Sequence, residues 1–138
     1  MSVDAAGHVS LTSQWFIRPG HEEEVREAVR KLAADIAAKE QGTLTYLVHM
    51  VWADTGALQS LPPAVVPSLL FFETYRDVDA FKAHVRGRLF KQFVKEYGRC
   101  FIPSDPIADD PGSKAGPYTT VQFLSQVAGF AQGQPRNE

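Results

Sequence analysis

The run from Leu69 to Phe93, LLFFETYRDVDAFKAHVRGRLFKQF, does most to limit what this chain can become. Leu69-Leu70-Phe71-Phe72 opens an apolar strand that carries Glu73 and Tyr75 out towards its end. Arg76-Asp77 turns the chain, and Asp77 is typed as an N-cap whose carboxylate accepts from the first helical amides. The helix that follows sets Ala80, Phe81, His84 and Val85 on one face by their i, i+1, i+4, i+5 spacing. A histidine therefore stands in the middle of an otherwise apolar stripe, directed at the sheet the chain has just left.

The segments on either side repeat this pattern. Val9 to Arg18 reads as a strand with Val9, Leu11, Trp15 and Ile17 on one face and Thr12, Gln14 and Phe16 on the other. Pro19-Gly20 ends it. From His21 to about Glu40, residues Val25, Ala28, Val29, Leu32, Ala33 and Ile36 form a helical stripe, and Glu22-Glu23-Glu24 suit the positive end of the helix dipole. Gln41-Gly42 stops this helix, with Gly42 expected as its C-terminal cap. Thr43 to Trp52 is a second strand: Leu44, Tyr46, Val48, Met50 and Trp52 share one face, and Thr45, Leu47, His49 and Val51 the other. Residues 53–67 are long for a link between strands, and read either as a flap or as a plain surface loop. Gly87 is expected to break the second helix, with a further segment from Leu89 to Tyr97. Cys100 to Pro117 reads as loop, Tyr118 to Ala128 as a fourth strand, and the polar tail after it as disordered.

The order is βαβ twice over, an α+β, ferredoxin-like βαββαβ unit with both helices on one face of a four-stranded antiparallel sheet. Helices cover only one sheet face, yet Leu44, Tyr46, Val48, Met50 and Trp52 cannot share a side with Leu47 and Val51. Leaving the second face in water would expose more apolar surface than soluble monomers usually carry. The expectation is a homodimer with two sheets face to face.

One domain is expected over 1–138, with a core of about 9–128 and tails at 1–8 and 129–138. A net charge of −2 gives no electrostatic case for nucleic acid or for an anionic membrane. No apolar run approaches the ~20 residues of a membrane span, and the early acid of MSVDAAGHVS does not suit a signal peptide. The lone Cys100 permits no internal disulfide and fits a reducing cytoplasm, where it reads as a packed small hydrophobe. The four histidines, His8, His21, His49 and His84, show no metal-ligand spacing, and neither a dinucleotide fingerprint nor a P-loop is present. No metal is expected.

Three stretches in order, RPGHEEEV at 18–25, QGTLTYLV at 41–48 and FFETYRDVDAFKAH at 71–84, resemble the antibiotic biosynthesis monooxygenase family over roughly residues 9–97. That resemblance implies a dimeric α+β barrel. It also implies a cofactor-free monooxygenase acting on an aromatic phenol, quinol or anthrone-type molecule with dioxygen. In this route the substrate is deprotonated, the anion reduces oxygen, and the pair recombines in a dry pocket. The protein must then supply a base near neutral pH and exclude water. His84 is the candidate base or hydrogen-bond donor. Trp15, Tyr46, Trp52, Phe72, Glu73, Tyr75, Phe81, Phe90 and Phe93 are the candidate lining of a flat apolar cavity. Alternation alone leaves open which face Glu73 takes. For each aromatic the plainer reading is core packing, and for His84 it is a buried histidine satisfied by backbone or by Glu73. Two other classes compete: a dimeric barrel that binds a small molecule without chemistry, and heme degradation. The heme-degrading relatives use an asparagine, a tryptophan and an axial histidine further along the second helix, but here the only asparagine is Asn137 and no histidine follows His84.

Overall fold

The computed structural model describes residues 7–51, 67–104 and 116–133. Four strands, β1 (Val9–Phe16), β2 (Thr43–Met50), β3 (Ser68–Tyr75) and β4 (Thr119–Leu124), form one antiparallel sheet in the order β2-β3-β1-β4. Three helices, α1 (Glu22–Lys39), α2 (Val78–Arg86) and α3 (Arg88–Tyr97), and a 3-10 turn at Gly98–Cys100 make up the rest of the described regular structure. This is the expected ferredoxin-like α+β architecture. No described helix is long and apolar enough to cross a membrane.

Strict alternation along β1 buries Val9, Leu11, Ser13, Trp15 and Ile17 beneath the helices and sends Thr12, Gln14 and Phe16 to the other face. The main core lies between that face and the α1 stripe Val25, Ala28, Val29, Leu32 and Ile36. Leu69, Phe71, Phe93 and Phe101 complete it. A smaller cluster of Val9, Leu11 and Tyr75 packs under Phe81 and Phe123. Cys100 is fully buried in the main core, as a small hydrophobe would be.

Several local expectations change. Leu44 does not join Tyr46, Val48 and Met50. The β2–β3 register shifts between Thr43 and Thr45, so Leu44 is the extra residue of a bulge and stays 48% exposed. β1 stops at Phe16, β4 runs only from Thr119 to Leu124, and the chain from Ser125 to Gly133 continues without regular structure. Gly42 is not a left-handed cap; Glu40 ends α1 instead. What Gly42 provides is room, because a Cβ there would lie 2.6 Å from the Cβ of Ala80. The α1–β2 turn thus sits directly on the start of α2, and the amide of Arg76 donates to the Gly42 carbonyl at 2.8 Å. Asp77 caps α2 as expected, accepting from the Ala80 amide at 2.8 Å. Gly87 separates α2 from α3, where a Cβ would press to 2.8 Å from the Ala83 carbonyl oxygen. Trp52 and the 53–66 part of the candidate flap lie outside the described residues.

Gly42→Ala should therefore destabilise the fold by about 1–3 kcal/mol in urea unfolding, the usual cost of overpacking. Gly98→Ala is the control. Gly98 is helical and its Cβ would meet nothing closer than 3.9 Å, so it should stay within about 0.5 kcal/mol of the parent. Equal effects at both glycines would mean that the turn is not held against α2.

Candidate active site

The β3 alternation that buries Leu69 and Phe71 also carries Glu73 and Tyr75 beneath the helices. Glu73 is only 6% exposed and lines a cavity of about 110 Å³ between sheet and helices. Of the residues expected to line it, Trp15, Tyr46, Glu73, Phe81, His84 and Phe90 do so. Three expected residues do not. Phe72 alternates to the opposite sheet face, where it pairs with Thr12 and Leu47. Phe93 packs on Trp15 from the core side, with ring centroids 5.9 Å apart. Tyr75 is fully buried behind Glu73 and donates a short hydrogen bond to its carboxylate. Leu11, Ser13, Phe71, Val85, Thr119 and Val121 also line the cavity and were not expected. Phe71 follows from the same alternation as Glu73. Thr119 and Val121 follow only from their pairing opposite Trp15 and Ser13. The half-exposed Val121 marks the side on which the cavity meets solvent.

His84 is the polar centre of this end of the molecule. It is 3% exposed, and its ring lies 5.3 Å from that of Tyr75, 5.6 Å from Phe90 and 5.7 Å from Tyr46. Its Nδ1 is 2.7 Å from Oε1 of Glu40, the residue that ends α1. Sequence reasoning missed Glu40 altogether, since the two are 44 residues apart and no periodicity connects them. With Nδ1 bonded to Glu40, the other nitrogen, Nε2, points to the cavity side. There it lies 3.9 Å from Glu73 Oε1, beyond hydrogen-bond distance. If Nδ1 donates to the Glu40 carboxylate, the Nε2 lone pair is left directed at the cavity.

Burial dominates the electrostatics here. It pushes the Glu73 carboxyl above its ordinary range, against the bond from Tyr75 and the nearby imidazole, which work the other way. Burial also holds the Tyr46 hydroxyl well above the usual phenol range, helped by Glu73 and Glu40, and Tyr75 is raised for the same reasons. Both tyrosines therefore keep their protons, and Tyr75 donates its own to Glu73. The arrangement combines a largely apolar enclosure with an imidazole nitrogen and a carboxyl group on its wall.

A second cluster lies at the N-terminus of α1 and lines no part of this cavity. His21, Glu24 and Cys100 have potential ligand atoms within 4.8 Å of one another, a proximity that the histidine spacing did not suggest. Glu24 is already taken by a close ion pair with Arg99, which holds its carboxyl at about 2.

The family model for antibiotic biosynthesis monooxygenases matches residues 8–96. The chain belongs to the antibiotic biosynthesis monooxygenase family. Solved structures agree at the level of the fold. An assigned antibiotic biosynthesis monooxygenase from Caulobacter crescentus CB15 is 19% identical over 89% of this chain and 92% of its own, with a TM-score of 0.63. SnoaB, a cofactor-independent oxygenase from Streptomyces nogalater, is 11% identical over 92% of this chain and 100% of its own, with a TM-score of 0.60. Rv0793 from Mycobacterium tuberculosis is 15% identical over 90% and 99%, with a TM-score of 0.58. No curated protein matches the sequence. Family and fold together support a monooxygenase-type function.

Glu73 yields a pH test. Its carboxyl is raised in the folded protein, so between the ordinary carboxylate range and the raised value the folded state binds more protons than the unfolded one. Stability then falls as pH rises through that window. Glu73→Gln removes the buried charge and can still accept from Tyr75. Its Tm should exceed that of the parent at pH 8, with the gap closing as pH drops towards the ordinary carboxylate range. A gap that does not change with pH, in thermal scans across a buffer series, would mean that Glu73 bears no buried charge.

Proposed function

We propose that this protein is a cofactor-independent monooxygenase whose substrate is a phenol or hydroquinone, with His84 as the base. The observation that carries the reading is a buried imidazole whose Nδ1 is tied to Glu40 while Nε2 faces a cavity walled by Trp15, Tyr46, Phe71, Phe81 and Phe90. Nε2 takes the hydroxyl proton, and the resulting phenolate gives an electron to dioxygen. Recombination forms a carbon–oxygen bond. The carbon's hydrogen then passes as a proton to the outer peroxide oxygen, and the O–O bond breaks. One oxygen stays as a carbonyl and the other leaves as water, so a phenol and dioxygen become a quinone and water. Water must be kept from the anion and the peroxide, and a pocket of rings suits that need.

The size of the cavity narrows the class. A cavity of about 150 Å³ holds one benzene ring, so about 110 Å³ encloses one reacting ring at most. Further fused rings would have to protrude past Val121. Within the phenol, quinol and anthrone range, a single-ring hydroquinone fits best. Oxygen uptake with a panel of hydroquinones, phenols and anthrones tests this reading. His84→Ala should lower turnover by the ~10²–10⁴-fold typical of a lost general base, with folding intact by circular dichroism. Full activity in that variant would refute the role of His84. Binding of these compounds without oxygen uptake would favour a non-catalytic binder instead.

We also infer a homodimer. On the sheet face away from the helices, Leu47 and Leu70 are 47% and 43% exposed, with Phe16 and Phe72 beside them. After β4, Val127 and Phe130 are 95% and 88% exposed. A second copy is the economical cover for both. Sedimentation at micromolar concentration should give twice the 15.3 kDa chain mass. Leu70→Glu should shift it to the monomer while far-UV circular dichroism is kept. A soluble parent monomer would count against the dimer.

A further inference from the structure

We propose that Glu40 is a positioning residue and temporary proton acceptor for His84, set behind the imidazole at the α1–β2 turn. Glu40 lies outside the cavity, and its side chain is 20% exposed where that of His84 is 3%. The imidazole is thus a partition, with one nitrogen on the cavity side and the other on a carboxylate that reaches water. Glu40 is held firmly for this task. Its own amide donates to the Ile36 carbonyl at 2.8 Å, and the Thr43 hydroxyl donates to the same Oε1 at 3.3 Å. The turn that carries it is seated on Ala80 at Gly42, one helical turn before His84. The titratable groups facing His84 are Glu40 from the end of α1, Tyr46 from β2, and Glu73 and Tyr75 from β3. Among these, Glu40 alone is within hydrogen-bond distance of a ring nitrogen.

Two consequences follow. The carboxylate fixes the tautomer, with the proton on Nδ1 and the lone pair on Nε2. It also disposes of the proton. When Nε2 accepts the substrate's hydroxyl proton, the Nδ1 proton passes to Glu40 Oε1. The imidazole stays neutral, the phenolate carries the negative charge that Glu40 gave up, and the net charge is unchanged. No imidazolium remains beside the phenolate to favour return of the proton. When the O–O bond breaks, the leaving oxygen takes the Nε2 proton, and Glu40 returns one to Nδ1. The relay rests on the monooxygenase reading for its substrate proton, whereas the tautomer does not.

Ring 15N spectra of His84 in the ligand-free protein test the positioning role without any turnover. The parent should show a protonated Nδ1 and an unprotonated Nε2, and a parent spectrum with the opposite tautomer would overturn the inference. Glu40→Gln should mix or reverse the tautomers, and Glu40→Asp should largely restore them. With a hydroquinone that the parent oxidises, Glu40→Gln should lower kcat by about 10–100-fold, by analogy with loss of the carboxylate that orients a metal-ligating histidine. KM should hardly move, the pH profile should shift, and Glu40→Asp should recover most of the rate. Unchanged tautomers in Glu40→Gln would overturn the inference, even if that variant melts earlier, because Glu40 would then be only a structural partner. If no phenol or hydroquinone is oxidised by the parent, the reaction assigned above fails, while the 15N result still decides the role of Glu40.

Discussion

The second central strand, β3, imposes the constraint from which the site follows. Its side chains alternate, so seating Leu69 and Phe71 beneath the helices seats Glu73 and Tyr75 there as well. A carboxylate in that position is costly unless it is bonded or gives up its charge. Both adjustments are present. Tyr75 donates to it, His84 stands within 3.9 Å, and burial raises its pKa towards the neutral form. For His84 to reach Glu73, α2 must start straight after the strand, which the Asp77 cap secures. For His84 to reach Glu40, the α1–β2 turn must lie close on α2, which only a glycine at position 42 allows. Cap, turn and site thus have a common origin.

This explains which parts could be read from the chain. The βαββαβ order, both faces of β1 and the α1 stripe depend on local periodicity, and they stand in the structure as expected. His84 was legible because four residues along α2 bring it back onto the face of Ala80. Phe72 was not, because an unbroken apolar run, Leu69 to Phe72, gives no local sign of which members point inward. The interior place of Glu73 was illegible for the same reason. Glu40 and the meeting of His21 with Cys100 depend on contacts between distant elements, for which a single sequence carries no periodic trace. Leu44 was misplaced because a one-residue bulge reverses the alternation beyond it.

The energetics bear on why such a cluster is present at all. A buried histidine–carboxylate pair is seldom a strong source of stability, since desolvation offsets most of the attraction. A leucine or methionine facing Tyr46, Tyr75 and Phe90 would fill the same volume with apolar packing at no such cost. Among the lining residues the titratable Tyr46, Glu73 and His84 are moreover neighbours, with Glu73 paired opposite Tyr46 and 3.9 Å from His84, while Trp15, Phe71, Phe81 and Phe90 add rings. On the reading proposed above, a phenol would lie with its hydroxyl towards His84 and Glu73 and its ring among Trp15, Phe71 and Phe81. Core packing alone requires no such asymmetry.

The same asymmetry makes the open side significant. An aryl anion and a peroxide survive only where water is excluded, yet Val121 on β4 stands half in solvent at the cavity's edge. β4 is also an edge strand, so one row of its backbone groups has no partner within the sheet. In the homodimer proposed above, a partner that covers Leu47 and Leu70 on the outer face would dry the cavity past Val121 only if its chain after β4, with Val127 and Phe130, also reached along this edge. On this argument dimerisation and catalysis are linked. A monomeric variant would keep His84, Glu40 and the ring wall, but its anion would face water. Oxygen uptake by the Leu70→Glu variant would then fall more steeply than its affinity for the aromatic ring.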